Sequence, residues 1–333
     1  MKISVVVPVR NEENSIRQLI DRLLEQTRPP EEIVITDGGS HDSTSQIIND
    51  YIAAGAPIQL IVAGEALPGR GRNLAAAQAK YEWLAFTDAG IEPAKNWIEM
   101  LSAKAEQDAS IDVVYGAWEP VTDTFFTECA AITYVPPPVS HNGSNVRPRV
   151  IVSSLMKKSV WQSVGGFPEK LRSAEDLLFM GAIDNAGFTC VFAPEAVVRW
   201  QLRPSFSSTF WRFVVYARNN IRAGFWKQWQ APIFRRYLFL VLLAIVVWWT
   251  SPTLLWLPPL LWLLMLLARA VVAIRRNRHV YPASVGRNLR RLFLLVPLIA
   301  TIDAAAFIGS IQWLFLDWLR GEPKTTVEAG NGA

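Results

Sequence analysis

Through its first 200 residues the chain alternates short apolar runs with amphipathic stretches. Ile3–Val9 is an apolar run, the pattern of a strand buried on both faces. Ser15–Leu24 follows with Ile16, Leu19, Ile20, Leu23 and Leu24 at helical spacing, and Pro29-Pro30 ends that helix. Glu32–Thr36 predicts a second strand, and Ser43-x-x-Gln46 has the form of a capping box opening the next helix. Ile58–Val62 and Trp83–Thr87 predict the third and fourth strands, with an Ala-rich helix over Asn73–Lys80 between them. Trp97–Ala105 predicts a helix and Val113–Trp118 a fifth strand. Residues 119–150, with Pro136-Pro-Pro138 and His141-Asn-Gly-Ser-Asn145, read as irregular chain and an acceptor-side loop. Val150–Met156 and Cys190–Ala193 read as strands, Val160–Gly165 and Asp176–Asn185 as helices. This alternation predicts an α/β domain over residues 1–200: a Rossmann-like, mostly parallel sheet with helices on both faces.

The pattern changes after residue 200. Ser205–Gln230 interleaves aromatic and basic residues, among them Phe206, Trp211, Arg212, Arg218, Arg222, Trp226 and Lys227. Residues 201–236 therefore read as interfacial helices, apolar face down and cations toward headgroups. A packed helix with a solvated basic face is the alternative. Tyr237–Ile274 is apolar but for Thr250-Ser-Pro252, Pro258-Pro259 and Arg269, which predicts two spans in a tight hairpin near Ser251-Pro252. Leu292–Leu319 predicts a third span, giving an all-α transmembrane segment over 237–319 and a short tail over 320–333. Asp303 sits mid-span among Ala and Thr, where a helix–helix hydrogen bond is the expected role.

Charge supports this division. The segment Leu202–Tyr237 holds seven Arg or Lys residues and no acid, and Arg275–Arg291 holds six Arg and no acid. Such runs suit nucleic acid or anionic lipid. Apolar spans adjoin both, so membrane lipid is the expected partner and nucleic acid is not. The basic loops place the N-terminal domain in the cytoplasm of an integral plasma- or inner-membrane protein. Met1-Lys-Ile-Ser runs straight into a strand, with no signal peptide expected. Cys129 and Cys190 have no metal-ligand spacing and imply no disulfide framework.

The candidate chemistry lies in five polar stations, each following an apolar run: Val5–Glu13, Ile35–Asp42, Gly69–Asn73, Phe86–Gly90 and Ser173–Asp176. An α/β sheet places a nucleotide site at the carboxyl ends of its strands. Pro8 fixes a turn, and Asn11 and Glu13 offer acceptors for a ribose or base edge; they would equally cap a helix. Asp37 could accept from a base ring N–H, with Gly38 letting a ligand approach the backbone. A plain Asp-Gly turn is the alternative. Arg70 and Arg72 at a glycine-rich helix start suit a diphosphate, or a solvated basic loop. Glu175 and Asp176 either favour a helix start or supply a base for an acceptor hydroxyl.

In this order, Val-Val-Val-Pro-x-x-Asn-Glu-Glu, Asp-Gly-Gly-Ser-x-Asp, Arg-Asn, Asp-Ala-x and Gly-Gly-Phe…Glu-Asp resemble the family-2 glycosyltransferases. The resemblance covers about residues 1–200 and implies the GT-A fold, an inverting transfer and a nucleotide-sugar donor. The spans resemble the C-terminal anchors of membrane-bound members. The implied donor-binding residues are Pro8, Asn11, Glu13, Asp37, Gly38, Arg70, Arg72 and Asn73. The implied catalytic residues are Asp176 as base and Glu175 as its positioning partner. The family pattern Asp-x-Asp, which holds Mg or Mn against the donor diphosphate, appears here as Asp88-Ala89-Gly90. Asp88 is the implied metal ligand, and Gly90 stands where the second carboxylate would be, with Glu92 as a substitute. The family often has a second Asp where Gly38 stands. Arg199-Trp200-Gln201 offers the residues of the processive Gln-x-x-Arg-Trp motif without its pattern, which argues for adding a single sugar to a lipid-linked or glycan acceptor. The rival is a non-catalytic membrane subunit that keeps the fold.

Overall fold

Apolar runs become strands and amphipathic runs become helices along the whole chain. The computed structural model describes residues 1–141 and 144–320. In order, the elements are β1 (Ile3–Val9), α1 (Ile16–Leu24), β2 (Glu32–Asp37), α2 (Thr44–Ala53), β3 (Ile58–Val62), α3 (Pro68–Gln78), β4 (Trp83–Phe86), β5 (Ile91–Pro93) and α4 (Trp97–Ala105). Next come β6 (Val113–Val121), α5 (Phe125–Tyr134), β7 (Val139–His141), β8 (Ser144–Val146), β9 (Ser154–Lys157), α6 (Lys158–Ser163), α7 (Glu175–Asn185) and β10 (Cys190–Gln201). The helices α8 (Phe206–Arg222), α9 (Trp226–Trp229), α10 (Ala231–Thr250), α11 (Leu257–Arg276) and α12 (Val285–Trp313) follow. The chain divides into two compact units. Among the described residues, one comprises Met1–Pro120 and Val139–Gln201; the other comprises Val121–Pro138 and residues 202–320.

The first unit is built on an eight-stranded sheet of order β3-β2-β1-β4-β9-β6-β10-β5. Its first half is parallel: Val9 lies opposite Asp37, Asp37 opposite Val62, and Val6 opposite Phe86. The carboxyl ends of β1, β2, β3 and β4 thus meet at one edge. Beyond β4 the sheet is mixed, with β9 antiparallel to β4 and β6, and β5 antiparallel to β10. The short β5 pairs with the far end of β10, which runs eight residues past the strand expected at Cys190–Ala193. Both central faces are dry: Val5, Val6, Val7, Ile33, Val34 and Ile35 are fully buried.

One local expectation fails. Ser43 makes no side-chain capping bond at α2. Asp42 Oδ1 instead accepts the Thr44 backbone N–H at 3.1 Å, and Gln46 turns along its helix to Asp50. The Asp42 carboxylate thus lies at the helix start, where negative charge is favoured.

In the second unit, α5 was not legible in the sequence. It occupies residues read as irregular, and Thr124 and Thr127 form a reciprocal cap at its start. Its Cys129 and Ile132 are buried with Leu266, Ala270, Leu295 and Ile299 of α11 and α12. Glu128 joins it to α12 through Arg287 and Arg291. Residues 121–138, grouped by sequence with the first domain, therefore pack in the second unit. Three helical stretches, Ala231–Thr250, Pro252–Arg276 and Val285–Trp318, are long and apolar enough to cross a membrane. Asp303 is wholly buried among them. Arg269 forks onto both of its oxygens, and the Tyr237 hydroxyl donates to it at 3.0 Å. The expected helix–helix bond is thus a charge-assisted one. Asp317 is held likewise by Arg218, at 2.7 and 2.9 Å.

Of the remaining sequence readings, residues 321–333 of the tail and Asn142-Gly143 of the acceptor-side loop lie outside the described residues. The flanks of that loop form the β7–β8 pair.

Candidate active site

The site gathers at the parallel edge of the first unit. Two loops close it on one side by backbone-to-side-chain bonds. Asn11, with φ of 56°, turns the chain after β1; its N–H donates to Ser40 Oγ at 2.9 Å, and its Oδ1 accepts His41 N–H at 2.9 Å. Glu13 Oε2 accepts Ser43 N–H at 3.1 Å, and Glu12 N–H donates to Thr44 Oγ1 at 2.7 Å. Asp37 is buried; its Oδ1 accepts Ser40 N–H at 2.8 Å and its Oδ2 accepts from Ser45 Oγ. The first and second stations therefore form a single pinned corner. Ser40, Thr44 and Ser45 complete it, and the sequence reading did not single them out.

Three glycines set close approaches. A Cβ on Gly38 would lie 2.4 Å from the Ala66 carbonyl oxygen, so a second Asp cannot stand there with this backbone. A Cβ on Gly69 would lie 2.2 Å from the Pro168 carbonyl oxygen, and one on Gly71 would lie 3.0 Å from Pro8 Cβ. Helix α3 is thereby seated against both the β1 turn and the Gly165-Gly166-Phe167-Pro168 loop. The role of Pro8 here is this packing.

Arg72 is the centre of the arrangement. It is 2% exposed, a burial that decides its role. Its Nη2 donates to both oxygens of Asp88 at 2.8 Å, and its Nη1 donates to Glu175 Oε1 at 2.8 Å. Its guanidinium lies 5.4 Å from the centre of the Phe167 ring, which stacks on Phe179 at 3.8 Å. Burial works against the Arg72 charge, but Asp88 and Glu175 outweigh it and hold the group more firmly protonated than usual.

Glu175 and Asp176 open α7 directly after Ala174, whose φ of 70° is left-handed. An alanine there is strained, and such strain gathers where a fold must aim particular side chains. Glu175 is buried. Desolvation first, and the neighbouring Asp176 charge second, push its pKa up to about 7 against the pull of Arg72. Its Oε2 has no hydrogen-bond partner. Asp176 is half-buried, and burial raises its pKa too. Its Oδ1 accepts the Leu177 N–H at 2.9 Å, and it forms no ion pair among the described residues.

Residues 4–140 match the family model described as Glycosyl transferase family 2. Those residues are a family-2 glycosyltransferase domain. Glycosyltransferase AglE of Haloferax volcanii is 26% identical over 208 residues, 61% of this chain and 67% of AglE. The poly(ribitol-phosphate) beta-N-acetylglucosaminyltransferase TarS of Staphylococcus aureus is 30% identical over 206 residues, 59% of this chain but only 35% of TarS. The chain spans 41% of another relative, the glycosyltransferase EpsJ of Bacillus subtilis. Mannosyltransferase PcManGT of Pyrobaculum calidifontis, solved with GDP-Man and Mn2+, shares the fold: the TM-score is 0.55 over 94% of this chain and 87% of that one, at 20% identity. The matched stretch contains the first four stations. Glu175-Asp176 lies beyond it and rests on geometry.

Within the glycosyltransferase domain, two residues read as donor contacts have other partners. Asn73 uses its whole amide inside the protein. It donates to the Phe167 carbonyl at 2.9 Å and to Glu169 at 3.0 Å; it accepts from Phe167 N–H at 2.8 Å and Trp161 Nε1 at 3.0 Å. No capacity is left for a donor, so Asn73 is the clasp of the Gly-Gly-Phe loop. Arg72 is likewise directed inward onto two carboxylates. Arg70, by contrast, is exposed and forms no ion pair among the described residues. Glu92 is no substitute for the second metal carboxylate: it sits on β5, bonded to Arg22 at 3.2 Å and to Gln201 at 2.8 Å. Gly90 lies open, with φ of 78°, where an Asp would be strained. Among the described residues, no group of three His, Cys, Asp or Glu could hold a metal ion. What remains is one carboxylate, Asp88, half-open and gripped on one side by Arg72. That fits a hard cation held jointly with donor phosphates, and not an all-protein cage.

Proposed function

We propose that this chain is a membrane-anchored, inverting glycosyltransferase that moves one sugar from a nucleotide-sugar to a lipid-linked or glycan acceptor. The carrying observation is the ion-paired chain Asp88–Arg72–Glu175, which ends beside an Asp176 free of any ion pair among the described residues. Arg72 holds Glu175 and steadies the first turn of α7. Asp176 keeps an open face and an elevated pKa, as suits a base that takes the acceptor hydroxyl proton while that oxygen attacks the anomeric carbon. The corner of Asn11, Glu13 and Asp37 is held by its own hydrogen bonds, which supports a donor platform formed in advance. In that corner Asn11 and Glu13 are exposed, and they and Gly38 offer edges for a base and ribose. The exposed Arg70, at the start of α3, can meet the diphosphate that leaves.

PcManGT holds GDP-Man with Mn2+. By analogy, Asp88 together with donor phosphate oxygens would hold Mg or Mn here, and the ion would stabilise negative charge on the leaving diphosphate. A chelator should then lower turnover, and Asp88→Asn should lose most activity and the remaining chelator sensitivity. Full activity in excess chelator would leave Arg70 to neutralise that charge.

The three long apolar helices and the basic runs beside them support a membrane anchor with the catalytic unit in the cytoplasm. The test is turnover of a panel of nucleotide-sugars by the purified full-length chain with membrane lipid extract. Release of nucleoside diphosphate from one donor, dependent on the extract, is the expected result. Tight donor binding without any turnover would favour the non-catalytic subunit.

A further inference from the structure

Outside the active site, the second unit holds a groove with an unusual lining. Helices α10 and α11 leave a space of about 780 Å³ between them, walled by Phe239 and Leu240 on one side and Leu261 and Leu264 on the other. Arg235 and Arg236, in the first turns of α10, also line it. That volume is in the range of ligand sites. Neither arginine forms an ion pair or side-chain hydrogen bond among the described residues, and the Nε of Arg236 is buried without a partner. The carboxylate whose charge acts on Arg236 is Asp303, which is already held by the Arg269 fork and Tyr237.

From this we infer that the groove binds an anionic lipid, its phosphate on Arg235 and Arg236 and its hydrocarbon chain along the leucine walls. A guanidinium on an apolar helix needs a counter-ion or water. The anions a bilayer supplies are lipid phosphates, and the planar fork of arginine matches phosphate oxygens. A lipid places anion and hydrocarbon in one molecule, matching both halves of the lining. Free phosphate would leave the leucines bare, and a peptide would set backbone polar groups against them. The inference rests on the membrane placement proposed above and is independent of the transfer reaction.

The test is lipid retention by the full-length chain, purified from nanodiscs of equal phosphatidylglycerol and phosphatidylcholine. Retained lipid should favour phosphatidylglycerol about tenfold, within what two arginines near an anionic headgroup supply. Arg235→Gln with Arg236→Gln should bring the ratio near one. Leu264→Trp keeps both charges but fills the groove, and should lower the ratio as well. Lys2→Gln with Lys104→Gln removes two charges from the first unit and should leave it unchanged. Excess inorganic phosphate should not displace the lipid. Monodisperse elution and unaltered thermal unfolding identify the folded variants; were one to fail, the other two and the phosphate competition would still decide. No enrichment in the parent protein, equal loss in the Lys2/Lys104 variant, retention in the Leu264 variant, or displacement by phosphate would each overturn the inference. Failure of the chain to float with neutral phosphatidylcholine vesicles would instead overturn the membrane placement.

Discussion

At the scale of single residues, two adjacent carboxylates sit in different environments. Glu175 is buried and bound to Arg72, whereas Asp176 is half-open. Asp176→Asn keeps size and polarity but cannot accept a proton. Turnover should fall by roughly 100-fold or more while donor binding persists, because a positioned base contributes about that much. Unchanged turnover in the purified variant would remove Asp176 from the mechanism. The pH dependence follows from the same burial. A base works only when deprotonated, so kcat/KM should rise with pH, with an acid limb above the ordinary carboxylate range, because burial raises the pKa of Asp176. Glu175→Gln removes a negative neighbour of Asp176 and leaves Arg72 one carboxylate fewer, so the limb should move to lower pH. A limb that stays put would show that the two carboxylates do not share a proton equilibrium. For stability the sign is opposite to that of a surface acid. The raised pKa favours the protonated folded state, so this contribution is full at acid pH and is lost as pH rises through about 7.

At the scale of elements, the long apolar helices are joined by buried charged contacts as well as by apolar packing. Asp303 on α12, Arg269 on α11 and Tyr237 on α10 tie three helices at one buried point. Asp303→Ala leaves a guanidinium without its partner and should destabilise by about 3–5 kcal/mol. Thermal unfolding in detergent, followed by tryptophan fluorescence, reads this directly. A variant with parental stability would mean that water or lipid already carries the Arg269 charge. Helix α5 is held to α12 in the same manner, by Glu128 with Arg287 and Arg291. Burial raises the cost of that carboxylate, but the two arginines overcome it and leave its pKa below the ordinary range.

At the scale of the molecule, the division of the chain changes what truncation does. The segment 121–138 lies within the sequence of the glycosyltransferase domain but packs with the helices that follow residue 201. Removing everything after Gln230 strips α11 and α12 from α5 and exposes Cys129 and Ile132. The truncated chain should therefore self-associate without detergent, as light scattering would show, even though every polar station is still present. A monodisperse, heat-stable truncated protein would mean that α5 finds other cover.

The one-dimensional pattern determined what depends on neighbours along the chain. Short apolar runs located the parallel strands, and strand ends located the stations, because a parallel sheet brings its carboxyl ends to one edge. Long apolar runs located the three long helices, since length and composition alone set them. What only the tertiary structure decided is which polar groups satisfy each other. Arg72 meets Asp88 across 16 residues and Glu175 across 103, and Asn73 meets Phe167 across 94. Spacing marks such residues as chemically able without showing that their bonding capacity is already taken. Helix α5 was hidden for a related reason: its apolar residues are arranged for partners more than 130 positions later, and nothing local reveals that face. A motif thus names the groups able to bind a ligand, whereas packing determines which of them stay free to do so.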